Sequence, residues 1–274
     1  MVASSWPVAY LAQRVLGDQA TVQSPIPEGT DPIHWVPNRA ALASMQTASL
    51  IVLNGAGFEP WAERVTLPLS RVLHTARVFE RDWIEHEQLE HSHGPGGDHS
   101  HSGVDPHTWL DPLLAKAQAG AVRDAWIDHN PEAQAVIELN FDGLAADLDT
   151  LHAEWRALTT SLNGRAMLAS HPAYDYLAKR HGWTLINFDL DPEAVPTVEQ
   201  LGALRQATTD HSPAAMLWES EPTPAVAAAV QSATGLSSIV VSPAEVRSDT
   251  QRTANTTYLD VQRANIARLQ EALK

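Results

Sequence analysis

From Glu132 to Leu162 the chain carries no proline, and apolar side chains recur at helical spacing through Ala135, Leu139, Leu144, Leu148, Leu151, Trp155 and Leu158. The pattern predicts one helix over residues 131–162. At 1.5 Å rise per residue such a helix is ~48 Å long, more than one medium domain is wide. It is therefore expected to span two lobes, which places an N-terminal lobe at 1–130 and a C-terminal lobe at 163–274.

Both flanks alternate strands with helices. Before the long helix, 7–16 reads as a helix and 20–24 as a short strand. Residues 38–47 read as a second helix with Asn38 as its N-cap. The continuous apolar run at 49–53, closed by Asn54-Gly55, has the pattern of a strand buried on both faces of a parallel sheet. A helix at 60–65 and a strand at 71–73 follow. After the long helix, strands at 165–170, 185–188, 214–218 and 238–241 alternate with helices at 174–180, 198–208 and 224–234, and an amphipathic stretch at 257–274 predicts a closing helix. The fold class is α/β, with two Rossmann-like lobes built on parallel sheets and joined by one long rigid helix.

Six of the 13 histidines fall in the 23-residue string EHEQLEHSHGPGGDHSHSGVDPH. Imidazole is a borderline-soft ligand for first-row metals, so this is the composition of a metal-handling segment. His86, His91, His93, His99 and His101 sit among Gly, Ser and Pro in a His-rich loop over 85–103, which reads as mobile and metal-attracting or else as a polar surface insertion or tag-like linker. His107 differs. It lies in DPHTWLDP, an ordered-looking turn, and is either a fixed ligand or a loop histidine capping the next helix.

Cysteine is absent, so a metal has to be held by His, Asp or Glu. The formal charge of −15 attracts cations and argues against nucleic-acid binding. No run reaches the ~18–20 apolar residues of a membrane span. Met1-Val2-Ala3-Ser4 lacks the basic start of a signal peptide, which leaves a cytosolic protein or a mature form whose leader has been removed.

In open parallel sheets ligands bind beyond the carboxyl ends of the strands, and with two lobes the crevice between them is the expected site. His171 directly follows the apolar run 166–170, as a strand-end ligand or as a satisfied structural histidine. Glu219 and Glu221 follow Met216-Leu217-Trp218 and share a face, as metal ligands, as partners of a ligand histidine, or as part of a solvated turn.

Four segments in order carry a resemblance over nearly the whole chain. GTDPIHWVPNRAALASMQTASLIVLNGAGFEPW, VDPHTWLDP after the His-rich tract, ASHPAYDYLAKRHGW, and PEAVPTVEQL with LWESEP resemble the ligand-bearing segments of TroA-like (cluster A-I) zinc/manganese substrate-binding proteins of ABC importers. The resemblance implies an extracytoplasmic receptor, periplasmic or anchored at the cell surface, that delivers an ion to an ABC importer permease. It implies His107 and His171 as ligands. The first and last ligand motifs diverge. Ile33 stands where the first ligand belongs, with His34 one residue on, and Ser242, a poor zinc ligand, stands where an aspartate is usual. His34 with Glu219 or Glu221 could rebuild the shell. Imidazole at 171 favours Zn2+ over Mn2+ or another divalent transition metal. The expected molecule is a monomer and not an enzyme, lacking HExxH, Gly-x-Ser-x-Gly and phosphate-cradling motifs. The expected partners are the permease and a periplasmic metallochaperone. A metal buffer or chaperone without a permease, or a zinc-dependent hydrolase using Glu219 as base, are the alternatives.

Overall fold

The computed structural model describes residues 1–86, 90–93, 97–100 and 103–274. The chain opens with β1 (Val2–Ala3), α1 (Trp6–Leu16), α2 (Arg39–Thr47), β2 (Ile51–Leu53) and β3 (Val72–His74). Four short strands follow: β4 (Glu85–His86), β5 (Glu90–His93), β6 (Gly97–Ser100) and β7 (Gly103–Val104). Next come α3 (Pro112–His129) and α4 (Gln134–Leu162), then β8 (Met167–Ala169), α5 (Asp175–His181), β9 (Leu185–Asn187) and α6 (Val198–His211). The chain closes with β10 (Met216–Trp218), α7 (Pro224–Thr234), β11 (Ser238–Val240), α8 (Asp249–Thr253) and α9 (Tyr258–Ala272). The architecture is α/β with parallel sheets and one long helix, as the patterning predicts.

Packing divides the chain into two units. The first comprises Met1–Trp83, Pro106–His152 and Ala244–Val261, the second Ile84–Asp105, Ala153–Pro243 and Gln262–Lys274. Each is discontinuous in sequence. Residues 84–105, which the sequence places inside an N-terminal lobe, pack with the second unit, and 244–261 pack with the first.

The first unit holds the parallel sheet β1-β2-β3, with Val2 paired to Ile51 and Ile51 to Val72. Ile51, Val52 and Leu53 are all buried, which is why this strand shows no polar alternation. Trp35 and Trp61 meet edge to face at 5.4 Å over this core. Three expectations change here. The strand expected at 20–24 is a single bridge between Gln23 and Val2, because β1 is only two residues long and offers no further ladder. The helix expected at 60–65 is a 3-10 helix, Pro60–Arg64, too short to repay α-helix nucleation. β1 itself is too brief to register as a pattern in sequence.

The long helix is α-helical from Gln134, and Pro131–Ala133 form a 3-10 turn before it. Its buried stripe is Ile137, Leu144, Leu148, Leu151, Trp155, Leu158 and Leu162. Ala135 and Leu139 are not on it, and Leu139 is 71% exposed. Five residues before Leu144, Leu139 sits about 140° around the helix, whereas Ile137 is seven residues back and shares the face.

The second unit carries a four-stranded parallel sheet in the order β11-β10-β8-β9. Met167 pairs with Leu185, Leu168 with Met216, and Leu217 with Ile239. α6 and α7 cover it through Leu204, Val226 and Val230, packed on Leu168, Met216 and Trp218. Thr197 starts α6 with a reciprocal capping box to Gln200, and α5 ends at Gly182, whose φ of +68° accommodates the left-handed turn there. β4 pairs antiparallel with β7. Within the His-rich stretch, β5 pairs with β6, placing His91 opposite His99, so these residues form a ladder where a loop is expected. His101 lies outside the described residues, as do 87–89, 94–96 and 102.

Candidate metal centre

Asn54, at the carboxyl end of β2, organises the first unit's site. It is fully buried. Its Nδ2 donates to the carbonyls of Gly55 and Pro106, each at 2.9 Å. Its Oδ1 accepts from Thr108 Oγ1 at 3.1 Å and from Gln118 Nε2 at 2.7 Å. The residues immediately before and after His107 are therefore both held by one strand-end amide, and Asp111 caps α3 just beyond by accepting from Leu113 N.

His107 is 2% exposed, so its ring is set by packing and by its polar contacts. The ring lies 5.5 Å from that of Trp109. Nε2 sits 2.8 Å from Glu245 Oε1. Two donors on a tetrahedral zinc at about 2.0–2.1 Å are ~3.3 Å apart, so this pair needs to part by about half an ångström to hold the ion between them. Glu245 is a candidate donor that the sequence reading did not single out. Its signal is the string VSPAEV: the turn loses its aspartate at Ser242, and a carboxylate follows three residues later. Ala244, with φ of +63°, gives the local turn that precedes it.

Beneath this arrangement lies Glu59, whose carboxylate accepts from the backbone N–H of Asn54 at 2.7 Å and Gly55 at 3.0 Å, and from the Ser4 hydroxyl. Burial raises its pKa to about 7 against the opposing pull of those hydrogen bonds. Glu59 thus binds its proton more tightly folded than unfolded. Its stabilising contribution is complete below the ordinary value of 4.5 and is lost as pH rises through about 7. Urea unfolding at ~pH 4.5 and ~pH 8 should show a stability difference for Glu59→Gln that is smaller than the parent's by on the order of 3 kcal/mol. Equal differences in the two proteins would locate the pH dependence elsewhere.

The other expected residues are placed as follows. His34 is exposed, with Nε2 3.6 Å from Asp31 Oδ2, while Trp35 beside it is buried in the core. The turn is fixed by Ile33 N donating to Asp31 Oδ1. His34, His107 and Glu245 do not come together as a trio of donor atoms among the described residues. In the second unit the strand order reverses beside β8, since β9 lies on one side of it and β10 on the other. His171 and Glu219 each lie two residues beyond the paired Ala169 and Leu217, at that reversal, the usual ligand position of such sheets. Glu221 is exposed, and its charge acts on the half-buried Arg268 guanidinium, whose pKa burial lowers. The Ser242 backbone is held by Asn265, which accepts from its N–H at 3.0 Å and donates to its carbonyl at 2.8 Å. His86 is half-buried in β4 and stands 3.6 Å from Asp175, part of the folded unit where the sequence suggested a mobile loop.

The family profile described as zinc-uptake complex component A, periplasmic, matches residues 1–272. The zinc-binding lipoprotein AdcA of Streptococcus pneumoniae is 24% identical over 277 residues, covering 99% of this chain and 55% of the relative. The chain thus spans about half the length of that streptococcal protein. The high-affinity zinc uptake system protein ZnuA of Bacillus subtilis is 24% identical across 100% of the chain and 87% of the relative. In structure, the metal-dependent lipoprotein YcdH of Bacillus subtilis superposes with a TM-score of 0.85 at 22% identity, over 98% and 97% of the two chains. The Zn(II)-bound ZnuA-like domain of Streptococcus pneumoniae AdcA gives 0.82 at 23% identity, over 99% and 97%.

Proposed function

Because the chain belongs to the family of periplasmic zinc-uptake components, we propose that it is an extracytoplasmic receptor that binds zinc as cargo and delivers it to an ABC importer permease. The observation that carries this reading is His107, buried, clamped on both sides by Asn54 and 2.8 Å from the Glu245 carboxylate. An imidazole and a carboxylate suit zinc, and a rigid mount selects the ion by geometry. His171 is the further imidazole that the family resemblance implies, with Glu219 beside it at the strand ends. His34 and Glu221 have partners of their own and are the weaker candidates.

The reading is of a transport component with no catalytic step, monomeric, and supplied with metal by a metallochaperone. It places the protein in the periplasm or at the cell surface. No described helix is long and apolar enough to cross a membrane. The test is zinc transport: proteoliposomes holding the cognate permease should accumulate zinc only when this protein is supplied loaded. Accumulation at the same rate without it would reject the delivery role.

The His-rich stretch serves capture. Its histidines are interleaved with Gly, Ser and Pro, so holding them in one geometry costs ordering entropy that tight binding cannot easily recover. Deleting residues 90–102 is expected to remove weak zinc equivalents in calorimetry and to leave the tightest one intact. Loss of the tightest equivalent would make this stretch the receptor itself.

A further inference from the structure

Among the described residues, one trio of His, Asp or Glu side chains brings three donor atoms within 4.8 Å of one another: His86, Asp105 and Asp175, all in the second unit. His107 and Glu245 take no part in it. His86 Nε2 lies 3.6 Å from Asp175 Oδ2 and 3.9 Å from Asp105 Oδ2. These two separations exceed the ~3.3 Å edge of a tetrahedral zinc shell by about 0.3 and 0.6 Å, and with all three donors within 4.8 Å of one another a contraction draws them round one ion.

The frame that brings them together is specific. The Tyr176 hydroxyl accepts from Ile84 N and donates to the Asp105 carbonyl, both at 3.1 Å, tying the start of β4 and the end of β7 to α5. That places His86 and Asp105 beside Asp175, the residue before the tyrosine. Asn187 Nδ2 donates to both Asp175 oxygens, at 3.0 and 2.9 Å, and fixes the plane of that carboxylate. The Asp105 side chain is fully shielded, and those of His86 and Asp175 are each under one-fifth exposed. Two shielded carboxylates facing one imidazole form an electronegative pocket that favours a cation.

We propose that His86, Asp105 and Asp175 form a second site for a divalent first-row metal, zinc above all, separate from the His107–Glu245 centre. One imidazole and two carboxylates match zinc donors and leave a position for water, so the site is open and exchangeable where a closed four-ligand shell is not. Bound there, the ion would cross-link β4, the residue following β7, and α5. The competing arrangement is a protonated His86 bridging the two carboxylates as an ion pair.

Calorimetric zinc titration of the full chain, with every other histidine in place, separates the two. His86→Ala and Asp175→Asn should each lose one zinc equivalent, or weaken it at least tenfold, and keep the tightest equivalent, which His107→Ala instead removes. Unchanged stoichiometry and affinity in both variants would overturn the site and leave the ion pair. Should either variant fail to fold, crystals of the unmodified protein grown with excess zinc decide the matter. An anomalous peak at the zinc edge within bonding distance of His86 Nε2 supports the proposal, and a peak at His107 without one at His86 overturns it.

Discussion

Replacing His107 with alanine is expected to weaken the tightest zinc equivalent by at least ~100-fold, because losing a group that merely orients a ligand already costs about 10–100-fold. The expectation rests on a side chain that is 2% exposed and aimed at a carboxylate. Glu245→Gln should lose nearly as much, since a neutral amide is a poor zinc donor, while its shape and hydrogen-bonding reach are kept. The fold should be undisturbed in both, as judged by unfolding in urea without metal. His171→Ala tests the second imidazole in the same titration. A Glu245→Gln protein with parental affinity would reduce Glu245 to a hydrogen-bond partner of His107.

The largest stability loss is expected for Trp109→Ala. The indole is fully buried, meets Phe58 edge to face at 4.9 Å, and its residue's carbonyl accepts the Tyr258 hydroxyl, which burial holds far from ionisation. Truncating a side chain of this size leaves a cavity that the surrounding helices cannot fill, at a cost of about 3–5 kcal/mol. Urea unfolding of the metal-free protein measures it. A loss under ~1 kcal/mol would show that the Thr108–Leu110 turn lies outside the cooperative core. Trp109→Phe should restore most of the stability, because it keeps an aromatic face against Phe58.

The two variants act on different links of the same chain of causes. Trp109 seats the turn in the core, and Asn54 holds the backbone on either side of His107. His107 then presents one nitrogen to Glu245. Preorganisation of this kind spares the ion the entropy of gathering its own ligands, which is what a receptor with a small ligand count needs.

Local pattern was enough to read most of the elements. The buried run at 51–53, the cap at Asn38 and the strand-helix alternation after residue 163 follow from side-chain chemistry over a few residues. His107 and His171 were singled out from local strings, and the zinc titrations above are what test them as ligands. The phase of the long helix at its start was not. Ala135 and Leu139 fit a helical spacing as well as Ala133 and Ile137 do, and only the core they face chooses between them.

The sequence by itself determined the α/β class, the helix through 134–162, the reliance on His and carboxylate donors in a chain without cysteine, and the concentration of histidines before DPHTWLDP. Tertiary structure alone decided the pairing of His107 with Glu245 across 138 positions, and the convergence of His86, Asp105 and Asp175 at the base of the His-rich stretch. Periodicity reports which face of an element is buried over one or two turns. Which distant donors share a site depends on strand order, on the discontinuous packing of 84–105 and 244–261, and on bonds such as those of Tyr176 and Asn54, none of which leaves a mark within a short window of sequence.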